Sequence, residues 1–213
     1  MPGGAVAGVA DAKLAALGVG DVDQEHQPHM HVLLRLEAVV GTDGHGAHRW
    51  NQKTALYEEC VRIPFIISSK DSARVGAVDG DYLVSMGLDL IPTMCDYAGI
   101  EPPAHLSGQS LRPLLEGRPS SCRDQLTIET NVDIGSGPGG QLVARAMRTE
   151  RYKYSVYPMG WYREQLVDLE ADPGEMVNLA VSARSRDILD DHRQRLRKWC
   201  EETDDPFLQS CVR

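Results

Sequence analysis

The amino-acid sequence predicts an α/β chain, with part of an open sheet domain first and a small antiparallel β-sheet packed by a C-terminal helix after it. Three observations carry this. Ile63 to Ser68 is a nearly continuous apolar run of strand length, β-branched on either side of Phe65, the pattern of a strand buried on both faces in a parallel sheet. Gln125 to Thr130, Leu142 to Met147, Tyr152 to Tyr157 and Gln165 to Leu169 are strand-like segments with turn signals among them, including Gly135 to Gly140 and Asp172-Pro173-Gly174, as in a small antiparallel sheet. Ser182 to Glu202 places Ile188, Leu189, His192, Leu196, Trp199 and Cys200 on one face with Arg and Asp opposite, the stripe of a helix laid on a sheet.

The opening of the chain is rich in small residues, then polar from Asp21 to His31, with no 3.6 or 2.0 period before Val32, so residues 1–31 are expected to be poorly ordered. Val32 to Val40 is apolar enough for a buried strand that empties into the polar loop Gly41 to Gln52, and open α/β sheets bind ligands at such strand ends. Lys53 to Cys60 suits a short helical turn. Leu83 to Ala98 spaces Leu83, Met86, Leu90, Ile91, Met94, Cys95 and Ala98 three or four apart, an amphipathic helix. Asp89 is its expected N-cap, because Pro92 then falls in the first turn, where a missing N–H costs little. Gly99 ends the helix, Pro102 and Pro103 stop it resuming, and Ser110 to Glu116 forms another short one. His192 has no Cys, His or carboxylate at ligand spacing on its face and reads as a structural histidine.

The chain has 213 residues, 42% hydrophobic and 25% charged, an ordinary globular composition with length for one good-sized domain or two small ones. Lys and Arg number 22 against 31 Asp and Glu, a net charge of -9. The basic footprint of nucleic-acid or anionic-membrane binding is therefore missing, and neither partner is expected. No stretch reaches the roughly 20 apolar residues of a membrane span, and the opening segment, with Asp11 and Lys13, lacks the basic start of a signal peptide. The chain reads as soluble and unexported. Cys60, Cys95, Cys122, Cys200 and Cys211 are odd in number and form no C-x-x-C pair, which reads as free thiols.

Chemistry concentrates between Gly41 and Glu59. Asp43 suits a hard cation, His45 or His48 a metal or a donated proton, and Lys53 the neutralisation of an anionic ester oxygen. A solvated polar loop has the same composition, and spacing alone does not separate the two readings. His26, His29 and His31, interrupted by Pro28, read as surface histidines. Tyr152, Tyr154 and Tyr157 read as packing residues of a hairpin, while Trp161 and Tyr162, beside Gly160, are candidates for a substrate side.

A series of motifs stands in order along the chain: Thr42-Asp43, Gly46-Ala47-His48, Lys53, Leu56-Tyr57-Glu58-Glu59 and Val61 to Ile67, then Leu88 to Thr93, Ala98-Gly99-Ile100, Gly108 to Leu111 and Pro113-Leu114-Leu115. Arg148 to Tyr154, Gln165 to Glu175 and Asn178-Leu179-Ala180 complete it. Over about residues 40–205 this series resembles the C-terminal part of a type I sulfatase, in the alkaline-phosphatase-like superfamily. The resemblance implies an incomplete alkaline-phosphatase-like α/β domain followed by the antiparallel subdomain, and hydrolysis of sulfate esters with Ca2+. It implies that Asp43 is a calcium ligand, that Lys53 contacts the sulfate group, and that His48 lies near the sulfate or the leaving group. Family members are often exported.

The chain departs from the family twice. The residue after the metal Asp is His or Asn in the family, whereas here it is Gly44, with His45 one position later as the second metal candidate. The family's nucleophile is a formylglycine made from Cys or Ser in Cys/Ser-x-Pro-x-Arg. Here Cys60-Val61-Arg62-Ile63-Pro64 has its proline misplaced and Ser136-Gly137-Pro138-Gly139 lacks the arginine. Metal and lysine only stabilise the charge that a nucleophile creates, so the chain alone, as a truncated product or partial sequence, is expected to be inactive or weakly active.

The expected partition is residues 1–31 as a poorly ordered segment, 32–120 as the C-terminal part of the α/β domain, 121–205 as the C-terminal subdomain and 206–213 as a tail. Expected partners are a sulfate ester or sulfated carbohydrate, and copies of the chain itself through an exposed sheet edge. Two alternatives stand beside this: a non-catalytic remnant binding a partner or an anion, and a phosphoryl-transfer relative of the same superfamily.

Overall fold

The computed structural model describes residues 55–63, 65–67, 78–133, 141–158 and 160–211. The expected N-terminal segment and the Val32 to Val40 strand lie outside them. The described elements are α1 (Glu58–Val61), α2 (Met86–Ala98), α3 (Arg112–Leu115), β1 (Gln125–Asp133), β2 (Gln141–Thr149), β3 (Tyr152–Val156), β4 (Glu164–Asp168), two 3-10 turns (Leu179–Val181 and Ala183–Ser185), α4 (Arg186–Glu202) and α5 (Leu208–Cys211).

The strands form an antiparallel meander in the order β1-β2-β3-β4, with Gln125 opposite Thr149, Arg145 opposite Val156 and Tyr152 opposite Asp168. Because side chains alternate along a strand, this register gives the sheet two distinct faces. On one, Met147, Tyr154, Val156 and Leu166 close on Leu189, Leu196 and Cys200 of α4 and on Phe207. On the other, Leu56 packs on Ala144 and Ala146, with Val61, Ile128 and Tyr157 around it. The two small alanines leave room for the chain around α1.

Directional contacts hold α4 in place. Arg193 donates to both oxygens of Glu164, at 2.8 and 2.5 Å, and the Tyr154 hydroxyl donates to the same carboxylate at 2.5 Å. Beyond the helix, Asp205 accepts from Arg145 at 2.8 and 3.2 Å, and the Phe207 ring lies 5.0 Å below that guanidinium. His192 is buried with its ring nitrogens 3.2 Å from Thr149 Oγ1 and 2.8 Å from the Ile188 carbonyl. Burial lowers its pKa, which keeps it neutral and structural. The outer edge of β4 is closed by Asn178, which accepts the Leu166 N–H at 3.1 Å and donates to the Glu164 carbonyl at 2.9 Å, as a neighbouring strand would.

Two expectations are corrected. Ile63 and residues 65–67 belong to no strand among the described residues, and Ile63 and Ile66 are exposed. A short apolar run takes its conformation from what it packs against, and no described strand pairs with this one. The second concerns α2, which starts at Met86 behind an extended N-cap, Ser85, one turn earlier than expected. Asp89 lies inside the helix and reaches back to accept the Ser85 N–H at 2.8 Å. Its other oxygen accepts the Gln109 N–H at 2.9 Å and faces Arg123 at 2.5 Å, so this buried carboxylate ties the helix start to the chain before α3.

Pro92 consequently sits within the helix, where it offers no N–H to the Leu88 carbonyl four residues back. That carbonyl is where the Gly108 backbone passes: a Cβ at 108 would stand 1.8 Å from the Leu88 oxygen. Backbone meets backbone, so neither side yields by rotating a side chain. Gly108→Ala is expected to cost about 2–3 kcal/mol, read as a lower urea midpoint with an unchanged denaturant slope. A pH dependence arises from Glu164. Its hydrogen bond from Arg193 is the main cause that holds its carboxyl below the ordinary 4.5. A depressed folded pKa gives stability that is complete above the unfolded value and lost as pH falls through the folded one. Urea midpoints should therefore decline below about pH 4.5, and decline less steeply in Glu164→Gln.

Candidate functional site

Asp43, His45, His48 and Lys53, expected to carry the chemistry, lie outside the described residues, as do His26, His29 and His31. The segment from Ala55 to Arg62, just beyond Lys53 in the chain, is seated on the second face of the sheet. Ala55 and Leu56 are buried, and α1 is a single turn whose N-cap, Tyr57, does not cap the helix with its side chain. The first N–H groups of a helix need acceptors from elsewhere. Here the C-terminal subdomain supplies one for Glu58.

The Glu58 N–H donates to Glu175 Oε2 at 2.5 Å, and the Leu56 N–H donates to the Tyr157 hydroxyl oxygen at 3.2 Å. Burial pushes the Tyr157 pKa up to about 12, so this hydroxyl stays neutral. Lys153 rises from β3 between the two carboxylates: Nζ donates to Glu58 Oε1 at 3.0 Å and lies 2.6 Å from Glu175 Oε1. The second contact is an ion pair outside aligned hydrogen-bond geometry. The side chains of Lys153 and Glu175 are 2% and 1% exposed. Arg148 Nε stands 3.8 Å from Glu58 Oε1; burial lowers its pKa, with Glu58 opposing. Two cations thus face two carboxylates.

Glu175 reaches the cluster from a left-handed backbone, with φ at 53°, which a non-glycine residue adopts at some cost. Its N–H donates to the Asp172 carbonyl at 3.0 Å, so the Asp172-Pro173-Gly174 turn delivers the carboxylate. Three blocks of the motif series meet here: Leu56-Tyr57-Glu58-Glu59, Arg151-Tyr152-Lys153-Tyr154 and Asp172-Pro173-Gly174-Glu175. Sequence reasoning missed Lys153 and Glu175, since a lysine in a strand and a glutamate after a turn read as solvated. The available signal was that separate motif blocks carried charges of opposite sign.

The other candidates separate cleanly. Tyr154 is fully buried and Tyr157 is used at α1, whereas Trp161 is wholly exposed and Tyr162 mostly so. They follow Gly160, whose φ of 107° suits glycine. Cys60, Cys95, Cys122 and Cys200 are free thiols. Among the described residues, no group of three or more His, Cys, Asp or Glu side chains is arranged to hold a metal ion. No described helix is long and apolar enough to cross a membrane.

Residues 46–202 match the family described as N-sulphoglucosamine sulphohydrolase, C-terminal. The chain belongs to the sulfatase family. A Delta 4,5-hexuronate-2-O-sulfatase of Bacteroides thetaiotaomicron is 32% identical over 169 residues, covering 78% of this chain and 34% of that protein. A solved 2-O GAG sulfatase superposes with a TM-score of 0.70 at 31% identity, over 78% of this chain and 35% of that one. A solved complex of a protein with its substrate D-glucosamine-2-N,6-O-disulfate superposes with a TM-score of 0.65 at 27% identity, over 76% and 32%. This sulfatase chain spans about a third of the length of these relatives. The family match begins after Asp43 and His45 and includes His48, Lys53 and every member of the buried ion cluster.

Removing one charge from that cluster tests its weight. Glu175→Gln keeps an acceptor for the Glu58 N–H but leaves Lys153 with one carboxylate. A loss of about 3 kcal/mol is expected, the low end of the range for breaking a buried pair, because Glu58 remains. Chemical denaturation at neutral pH measures it.

Proposed function

We propose that this chain supplies the C-terminal domain of a sulfuric ester hydrolase acting on sulfated carbohydrates. The observation that carries the reading is the buried Lys153–Glu58–Glu175 cluster, which fixes the segment directly behind Lys53 within a sulfatase-family domain. Two relatives support the substrate class: the hexuronate-2-O-sulfatase and the protein solved with D-glucosamine-2-N,6-O-disulfate as its substrate.

Within this reading each residue has a separate task. The Lys53 ammonium offsets charge on the sulfuryl oxygens, and the His48 imidazole protonates the departing alkoxide. Asp43 supplies a hard oxygen ligand of the kind calcium prefers; His45 supplies nitrogen, a poorer match for that ion. Calcium, when bound, adds charge neutralisation at the sulfate group. A single carboxylate does not complete a calcium site, so Asp43 and His45 do not hold the ion by themselves. No Cys/Ser-x-Pro-x-Arg occurs in the sequence to supply the nucleophile, and the chain by itself is inactive or weakly active.

A second reading, association through a sheet edge, has one observation in its favour. Among the described residues β1 has a strand neighbour on one side only, although the exposed Glu129 is a charge of the kind that discourages edge pairing.

Binding and turnover test the first reading separately. Sulfated glucosamine at about 100 times its dissociation constant should stabilise the wild-type chain by about 2.7 kcal/mol and leave Lys53→Ala unchanged; equal shifts in the two proteins would sink the assignment of Lys53. With an aryl sulfate, with or without calcium, the isolated chain should release no product above background. Turnover lost in Lys53→Ala would overturn the claim of inactivity.

A further inference from the structure

We infer that Lys153, Glu175 and Tyr157 are positioning residues, which set the register of the chain bearing Lys53 through the Ala55–Val61 segment. The inference rests on the reading of Lys53 as the sulfate-contacting residue and adds to it a device that holds the chain from three residues further on. Leu56 lies three residues after Lys53, so about 10 Å of chain at most separates their Cα atoms. Catalytic positioning tolerates little freedom in the chain, since a displacement of about 1 Å costs on the order of a hundredfold in rate.

Apolar packing does not set this register by itself. Leu56 rests on Ala144 and Ala146, two small side chains that define a shallow seat, and hydrophobic contact is non-directional. The directional contacts are all polar. Tyr157 takes the Leu56 N–H and Glu175 takes the Glu58 N–H, while Lys153 bridges the Glu58 and Glu175 carboxylates. A buried ion pair contributes little net stability against apolar residues of the same volume. Its value here lies in geometry: the Glu58 side chain and backbone N–H are both held, so α1 can neither slide nor rotate without breaking a charged contact. β3 and the turn after β4 are the fixed frame, since they are paired within the sheet and tied to α4.

The test is amide hydrogen exchange resolved by peptide on the full 213-residue chain, with no ligand and no substrate. In Lys153→Met and in Tyr157→Phe, exchange across residues 55–61 should rise at least about tenfold, while β1 and α4 keep wild-type protection. Lys153→Arg, which restores the charge, should bring exchange in that segment back to within about threefold of wild type. Unchanged exchange at 55–61 in a folded variant overturns the inference, as does acceleration spread equally over β2 and β3, which is the signature of a merely structural lysine. Where Lys153→Met does not fold, Tyr157→Phe, which removes one hydroxyl from the far side of the clamp, carries the test alone. Because the readout involves no sulfate ester, its failure removes the clamp and leaves the sulfatase reading standing. Absent binding of sulfated glucosamine does the reverse.

Discussion

An ammonium group with 2% of its side chain exposed has lost nearly all its water, and desolvation of that kind costs several kcal/mol unless opposite charge replaces the hydration. Lys153 imposes this requirement on everything around it. Glu58 answers it from one end of the described chain, bringing α1 onto the sheet. Glu175 answers it from the turn after β4, and its left-handed backbone is the conformational cost of delivering a carboxylate there. Arg148, on the neighbouring strand, stands beside Glu58 and adds the second positive charge. The second face of the sheet is therefore organised around one cation.

The opposite face works by different physics. There α4 contributes a mostly apolar stripe, Arg193 pins its middle to Glu164, and Arg145 holds Asp205 just beyond its end. Such a face tolerates small rearrangements, because apolar contact has little directional demand. The face carrying α1 does not, since its polar contacts include charges that are nearly dry. One sheet thus combines a forgiving core with an exacting mount, and the exacting side is the one adjoining the segment after Lys53.

Much of the fold was legible in the sequence. The strands of the meander and the long C-terminal helix came through because their periods are strong and their turns carry Gly and Pro. The start of α2 did not: Asp89 and Pro92 mimic a helix beginning, yet Asp89 caps from within and Pro92 is accommodated where Gly108 meets the Leu88 carbonyl. Ile63 to Ile67 misleads because an apolar run of that length carries no information about its partners. Of the site, the motif series located Glu58 and the loop before it. The burial of Lys153 and Glu175 was illegible, since it depends on contacts between residues 95 and 117 positions apart, which local patterns do not encode.

Those separations also bear on how the chain assembles. Every pairing in the meander joins strands adjacent in sequence, so the sheet forms from short-range encounters, and α4 comes directly after it along the chain. Seating α1 on Lys153 instead closes a loop of about a hundred residues, at an entropic cost that only an existing frame can offset. The order this favours is sheet and helix first, then capture of the Glu58 segment from the N-terminal side. The last long-range contact to form is then the one that seats α1, so the mount is completed only when the rest of the subdomain is already correct.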